Sequence, residues 1–244
     1  MERVATGIKG LDKLIGGGIP AGMSVLLTGS CGTGKTILSL QYLYNGALNK
    51  EPGLYVTFEE SRDKIVNQAK AFNWDLEKLE KDKLIDIYVV DTFDMEDVLQ
   101  KIKDRITAIK AKRLVVDSLT MMLEYGAIYR SRISKEMSVV NREKRPLKLP
   151  EQGHSITRKD IYFLIKEINK LGTTSLLISE VGEKSDYLSR DTISEFACDG
   201  VILLQTSELG GEIERLLSVR KMRGTEVEIT LSPMKFTKEG IIVE

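Results

Sequence analysis

Apolar residues recur along the chain in short unbroken runs, separated by stretches of helical period. The runs fall at 24–29 (SVLLTG), 53–58 (GLYVTF), 83–90 (KLIDIYVV), 113–117 (RLVVD), 174–179 (TSLLIS) and 200–205 (GVILLQ), and each predicts a strand. Between them, residues near 35–49, 61–72, 94–110 and 157–171 carry apolar positions every three or four residues and predict helices. The first four runs are almost wholly apolar, as strands are when helices cover both faces of a sheet. Repeated βαβ units of this kind predict an α/β fold, a doubly wound and mainly parallel sheet. Near the end the pattern changes. Residues 212–224 and 225–230 (TEVEIT) alternate polar and apolar side chains around Gly224, which predicts antiparallel strands on the sheet edge.

One stretch breaks this rhythm. Residues 126–156 separate the fourth strand from the next helix by far more than such connections need. Within 130–150 there are seven Lys or Arg and two Glu, a local charge of +5. The whole chain carries 36 basic and 36 acidic side chains, so a polyanionic partner would have to be held by this patch and not by net charge. Arg142, Lys144 and Arg145 are its candidate contacts to DNA or another partner. Tyr125 and Tyr129 could stack on bases there.

The 244 residues, 42% of them hydrophobic, suffice for one large domain, taken here as 1–244 with the basic insertion. Two cysteines, Cys31 and Cys198, argue against a disulfide framework and for a reducing compartment. The start of the chain has no apolar leader, and no apolar run approaches the length of a membrane span. A soluble, cytoplasmic protein without a membrane partner is expected. His154 is the one histidine, which leaves little room for histidine-based chemistry. Eleven Asn and Gln beside abundant Lys and Glu lean toward a heat-loving source.

The candidate chemistry begins where the first strand enters GSCGTGKT, Gly29 to Thr36, and then a helix. This is G-x-x-x-x-G-K-[ST] between a strand and a helix. Glycines let successive backbone N–H groups turn inward as an anion nest, and the helix N-terminus adds partial positive charge. Ser30, Cys31, Gly32, Thr33 and Gly34, with Lys35, Thr36 and Ile37 at the helix start, are the candidate nucleotide-binding residues. Lys35 is expected to bridge the outer phosphates and the Thr36 hydroxyl to ligate Mg²⁺. A second metal carboxylate belongs at the end of a neighbouring apolar strand, where Asp117 closes RLVVD.

The segment VTFEES places Glu59 and Glu60 at the end of the strand that follows this helix, on the edge where ligands bind in such sheets. A carboxylate there can deprotonate water for attack on a γ-phosphate. If the strand runs on through the pair, alternation sends the two side chains to opposite faces, and one of them serves.

These residues, with TGIKGLDKLIGGGIPAGM before the loop, AFNWDL, VVDSLT, EFACDGVILL and KMRGTEVEITLSPMKFTKEGIIV, resemble the KaiC-like branch of the RecA superfamily of ATPases, and in particular its stand-alone, single-domain archaeal members. The resemblance covers nearly the whole chain except 126–156. It implies an ATPase core with ATP or ADP and Mg²⁺, assembled into a ring of its own copies, usually a hexamer, with ATP between subunits. It favours Glu59 as base with Glu60 supporting. It also gives Lys221 and Arg223 of KMRG a catalytic place, reaching a neighbouring subunit's phosphates as an arginine finger does. Departures are the single domain, Val227 where a histidine stands in KaiC, and Ala71 where KaiC has a serine. Three readings follow in order: a slow ring ATPase with regulatory or scaffolding output, a recombinase-related accessory ATPase binding single-stranded DNA through the insertion, and a nucleotide-sensing module with negligible hydrolysis.

Overall fold

In the computed structural model, residues 1–92, 94–125, 157–182, 185–209 and 212–244 are described. The insertion 126–156, with Arg142, Lys144, Arg145 and Tyr129, lies outside the described residues.

The strands are β1 (Arg3–Val4), β2 (Ile19–Pro20), β3 (Ser24–Gly29), β4 (Gly53–Thr57), β5 (Ile85–Val89), β6 (Arg113–Asp117), β7 (Thr174–Glu180), β8 (Gly200–Leu209), β9 (Glu212–Met222), β10 (Ser232–Thr237) and β11 (Gly240–Val243). Nine of them form one sheet in the order β11-β10-β9-β8-β3-β7-β6-β4-β5, and β1 pairs with β2 apart from it. From β8 to β5 every neighbouring pair is parallel, and β9, β10 and β11 close the other edge antiparallel. The expected fold class is thus the one observed.

Both faces are covered because the strands bury side chains on both sides. Val25, Leu27, Tyr55, Val115 and Ile202 pack on one face, toward the helices Lys35–Leu48, Arg62–Lys70 and Leu76–Lys81. Leu26, Val56, Val116, Leu177 and Val201 pack on the other, toward the helices Met95–Ile109 and Arg158–Lys170. The crossover from β3 through Lys35–Leu48 to β4 passes over β7 and β6, so the carboxyl ends of β3, β7, β6 and β4 line one edge in that order.

Two expectations need correction. Residues 225–230 form no strand: Glu226, Glu228, Ile229 and Thr230 are exposed, and β9 takes β10 as its partner, with Ser232 opposite Leu217 and Met234 opposite Arg215. The register follows burial, because Met234, Ile241 and Val243 fill the core face that TEVEIT would have had to cover. The run 53–58 also ends as a strand at Thr57, so strand alternation does not apply to Glu59 and Glu60. The helix Leu76–Lys81 escapes the period count because it is short. Its Asp75 side chain caps it by accepting from Lys78 N–H, 3.0 Å away.

Candidate functional site

The loop between β3 and the helix Lys35–Leu48 is shaped by glycines at two close approaches. A Cβ on Gly29 would sit 2.2 Å from the carbonyl oxygen of Leu204, and one on Gly34 (φ +102°) 2.6 Å from Cζ of Phe236. The Thr33 hydroxyl donates to the Ser30 carbonyl at 2.9 Å and tightens the turn. Lys35 is buried, and its Nζ donates to the carbonyls of Gly29 (2.9 Å) and Ser30 (2.8 Å). Burial pushes the pKa of this ammonium below the ordinary lysine value, while Glu180 and other nearby anions oppose that shift. Cys31 and Gly32 are exposed at the loop tip, and Ile37 turns partly into the core beneath.

Thr36 and Asp117 meet as the motif requires. The Thr36 hydroxyl donates to Asp117 Oδ2 at 3.2 Å, and the buried Tyr55 hydroxyl donates to the same oxygen at 2.5 Å. Register places Asp117 directly opposite Thr57, which brings the end of β6 level with the end of β4. Burial raises the Asp117 carboxyl above its usual range, and the hydrogen bonds from Tyr55 and Thr36 pull it back. A hydroxyl and a carboxylate at one point are hard oxygen donors of the kind Mg²⁺ takes, so the residues present fit that ion.

The two glutamates part company at a turn. Thr57 Oγ1 accepts from the backbone N–H groups of Glu59 (3.3 Å) and Glu60 (3.0 Å), folding the chain out of the strand. Glu60 is then held by the following helix: Gln68 Nε2 donates to both of its carboxylate oxygens, at 3.1 and 2.8 Å, and its charge helps raise the Asp117 carboxyl. Glu59 instead accepts from the Ser118 hydroxyl at 3.3 Å, beside Asp117. Partial burial, then the charge of Glu180, raise its carboxyl above the ordinary value, with the Ser118 hydrogen bond opposing them.

Several residues at this edge escaped the sequence reading. Glu180 ends β7 directly opposite Gly29, between the loop and β6. The signal was there, since it is the first charge after a buried parallel strand. Ser118, Tyr55, Arg215 and Phe236 carried none. Arg215 donates to the Gly32 carbonyl at 3.3 Å and lies 5.0 Å over the Phe236 ring, so the β9–β10 pair walls the loop from the side.

The structure thus brings Lys35, Thr36, Asp117 and Glu59 together, ties Glu60 to Gln68 while its charge still reaches Asp117, and keeps Lys221 and Arg223 away. Lys221 Nζ donates to the carbonyls of Glu195 (3.2 Å), Phe196 (3.2 Å) and Cys198 (2.6 Å). Arg223 pairs with Asp199 at 2.8 Å, and Asp199 in turn accepts from Ser24 N–H at the start of β3. Both cations therefore sit at the opposite edge from the loop, separated from it by the length of β3, roughly 17 Å at 3.3 Å per residue.

A family model described as "ATPase: KaiC" matches residues 4–145 and 146–244. The chain is similar to the circadian clock oscillator protein KaiC of Prochlorococcus marinus, at 33% identity over all of this chain and 45% of that protein. It is likewise similar to a UPF0273 protein of Aeropyrum pernix, at 34% identity over all of this chain and 94% of that protein. It spans about half the length of the KaiC relatives. Among solved structures, a KaiC-like protein from the hyperthermophilic archaeon Pyrococcus horikoshii superimposes with a TM-score of 0.79 at 36% identity, covering 100% of this chain and 99% of that one.

Proposed function

The chain belongs to the KaiC family of ATPases, and on that premise we propose that it hydrolyses ATP slowly, with Mg²⁺, in a ring of its own copies. One observation carries the reading: Lys35, the Thr36–Asp117 pair and Glu59 converge on one sheet edge around a glycine-shaped anion nest. In this reading the loop amides and Lys35 hold the phosphates, Lys35 exchanging its bonds to the Gly29 and Ser30 carbonyls for phosphate oxygens. Thr36 and Asp117 would hold Mg²⁺, which when bound offsets charge on the β- and γ-phosphate oxygens. Glu59, aimed by Ser118, takes a proton from the attacking water, and Phe236 with Arg215 forms a wall beside the loop.

Lys221 and Arg223 cannot serve the loop of their own chain across the length of β3, so they are proposed to serve that of a neighbour. Surfaces that differ on the two sides of a contact build a ring when the rotation closes. The hexamer implied by the resemblance is the ring proposed, and 1–244 is proposed as its single-domain unit. Among the described residues no helix is long and apolar enough to cross a membrane.

The test is phosphate release from ATP with Mg²⁺. Glu59→Gln should lower the rate at least about tenfold and leave ATP binding intact, whereas Glu60→Gln should cost less than about threefold. Equal losses, or no loss for Glu59→Gln, overturn the assignment of the base.

A further inference from the structure

On the face of the sheet turned away from the helix Lys35–Leu48, β8 and β9 carry a pocket of about 520 Å³. That volume lies within the range that takes small organic ligands. Leu203, Gln205 and Arg220 form its floor, and Ser185, Asp186 and Tyr187 its wall. Leu203 marks the face, since it alternates with Ile202 and Leu204, which pack toward the phosphate-loop helix. The pocket meets the phosphate loop only at Ser30, so it is a separate place in the fold.

Arg220 is the extra residue of a β-bulge. Val201 faces Lys221 and Ile202 faces Val219, which leaves Arg220 between them. A bulge re-aims a side chain, and bulges recur beside functional sites. Among the described residues the Arg220 guanidinium makes no hydrogen bond, ion pair or ring contact, whereas every other described arginine makes one. Beneath the floor the hydroxyls of Thr28 and Ser218 are buried and also unpartnered among the described residues. Register sets them on either side of Leu203. Buried polar groups are almost always satisfied, so this floor keeps polar capacity that packing alone does not explain. Tyr187 is 59% exposed, and a turn fixes it: Ser185 Oγ accepts from the Tyr187 N–H at 3.1 Å and donates to its carbonyl at 3.2 Å.

We propose that this pocket binds a nucleoside monophosphate, apart from the nucleotide of the phosphate loop. A free guanidinium offers two parallel N–H donors to a phosphate. The Tyr187 ring offers a face on which any base can stack. Asp186, on the same wall, accepts from ribose hydroxyls, as acidic residues do in other nucleotide sites. One unpaired cation and one exposed ring suit a single nucleotide, whereas a polyanion is held by a row of cations. The inference goes beyond the proposed hydrolysis and does not depend on it.

The experiment is equilibrium dialysis of labelled AMP and UMP with no other nucleotide present. Neither carries the outer phosphates that a phosphate-loop lysine reaches, so the loop holds them poorly. The parent should take up one per chain. Arg220→Ala should weaken binding at least about tenfold and Tyr187→Ser at least about fivefold, each with an unchanged circular-dichroism spectrum. Lys35→Ala should leave this binding in place. The inference is overturned if neither nucleotide binds, if both pocket variants bind like the parent, or if Lys35→Ala abolishes binding. Displacement of AMP by an equal concentration of inorganic phosphate overturns it too, because only an anion site would then remain. So does a parent that retains a single-stranded oligonucleotide through Arg220 and takes up neither monomer.

Discussion

Glu59 is a carboxylate whose neighbours are mostly carboxylates. Partial burial and the charge of Glu180 hold its pKa above the ordinary range, and a base works only in its deprotonated form. The acid limb of the pH–rate profile should therefore lie above the pH at which a free glutamate titrates, about 4.3. Glu180→Gln removes one of the charges that raise it, so the limb should move to lower pH. A profile of kcat/KM against pH, which reports the ionisations of the free protein, reads this; a limb that stays put or moves upward contradicts the arrangement. The same sign governs stability. A carboxyl raised on folding makes the folded state hold its proton longer than the unfolded chain, so stability falls as pH rises from the unfolded value through the folded one. The mutation should make that fall smaller. At this scale motif spacing made Lys35 and Thr36 legible, and the end of an apolar strand did the same for Asp117. Neither could separate Glu59 from Glu60. The separation comes from a turn on Thr57 Oγ1 and from Gln68, eight residues past the glutamate that it binds.

Among the elements, the helix Lys35–Leu48 carries the phosphate loop and is seated by a buried arginine. Arg113, only 1% exposed at the start of β6, donates to the carbonyls of Tyr42 (2.7 Å) and Ala5 (2.9 Å), pairs with Glu51 and lies 4.5 Å over the Tyr42 ring. Gly46 lets it pass: a Cβ there would stand 2.4 Å from Arg113 Nε. Helix propensity alone says that Gly46→Ala should stabilise the protein by about 1 kcal/mol. Because every end of the guanidinium is already held, we expect the opposite, a loss of about 2–3 kcal/mol in urea unfolding, through overpacking and a disturbed buried charge. A more stable variant would show that Arg113 can move aside. The elements themselves were mostly legible, since long apolar periods survive any tertiary context. The C-terminal edge was not. TEVEIT alternates as a strand should, yet SPMKFT and GIIV pair instead, because Met234, Ile241 and Val243 have a core face to fill.

For the whole molecule the order of strands decides what one chain can do alone. β3 carries the phosphate loop at its carboxyl end and, through Ser24 and Asp199, the arginine pair at its start. One chain therefore offers a nucleotide edge and a basic edge that face away from each other, an arrangement that the family resemblance implied and that residue spacing alone does not show. Two crippled proteins should then repair one another. Lys35→Ala spoils the phosphate loop and leaves Lys221 and Arg223 intact; Arg223→Ala does the reverse. In a one-to-one mixture assembled at random, an intact loop meets an intact arginine at about a quarter of the contacts, so about a quarter of the parent activity should return. If Arg223 served its own chain, no contact in the mixture would be whole, and the mixture would be no more active than the average of its two components.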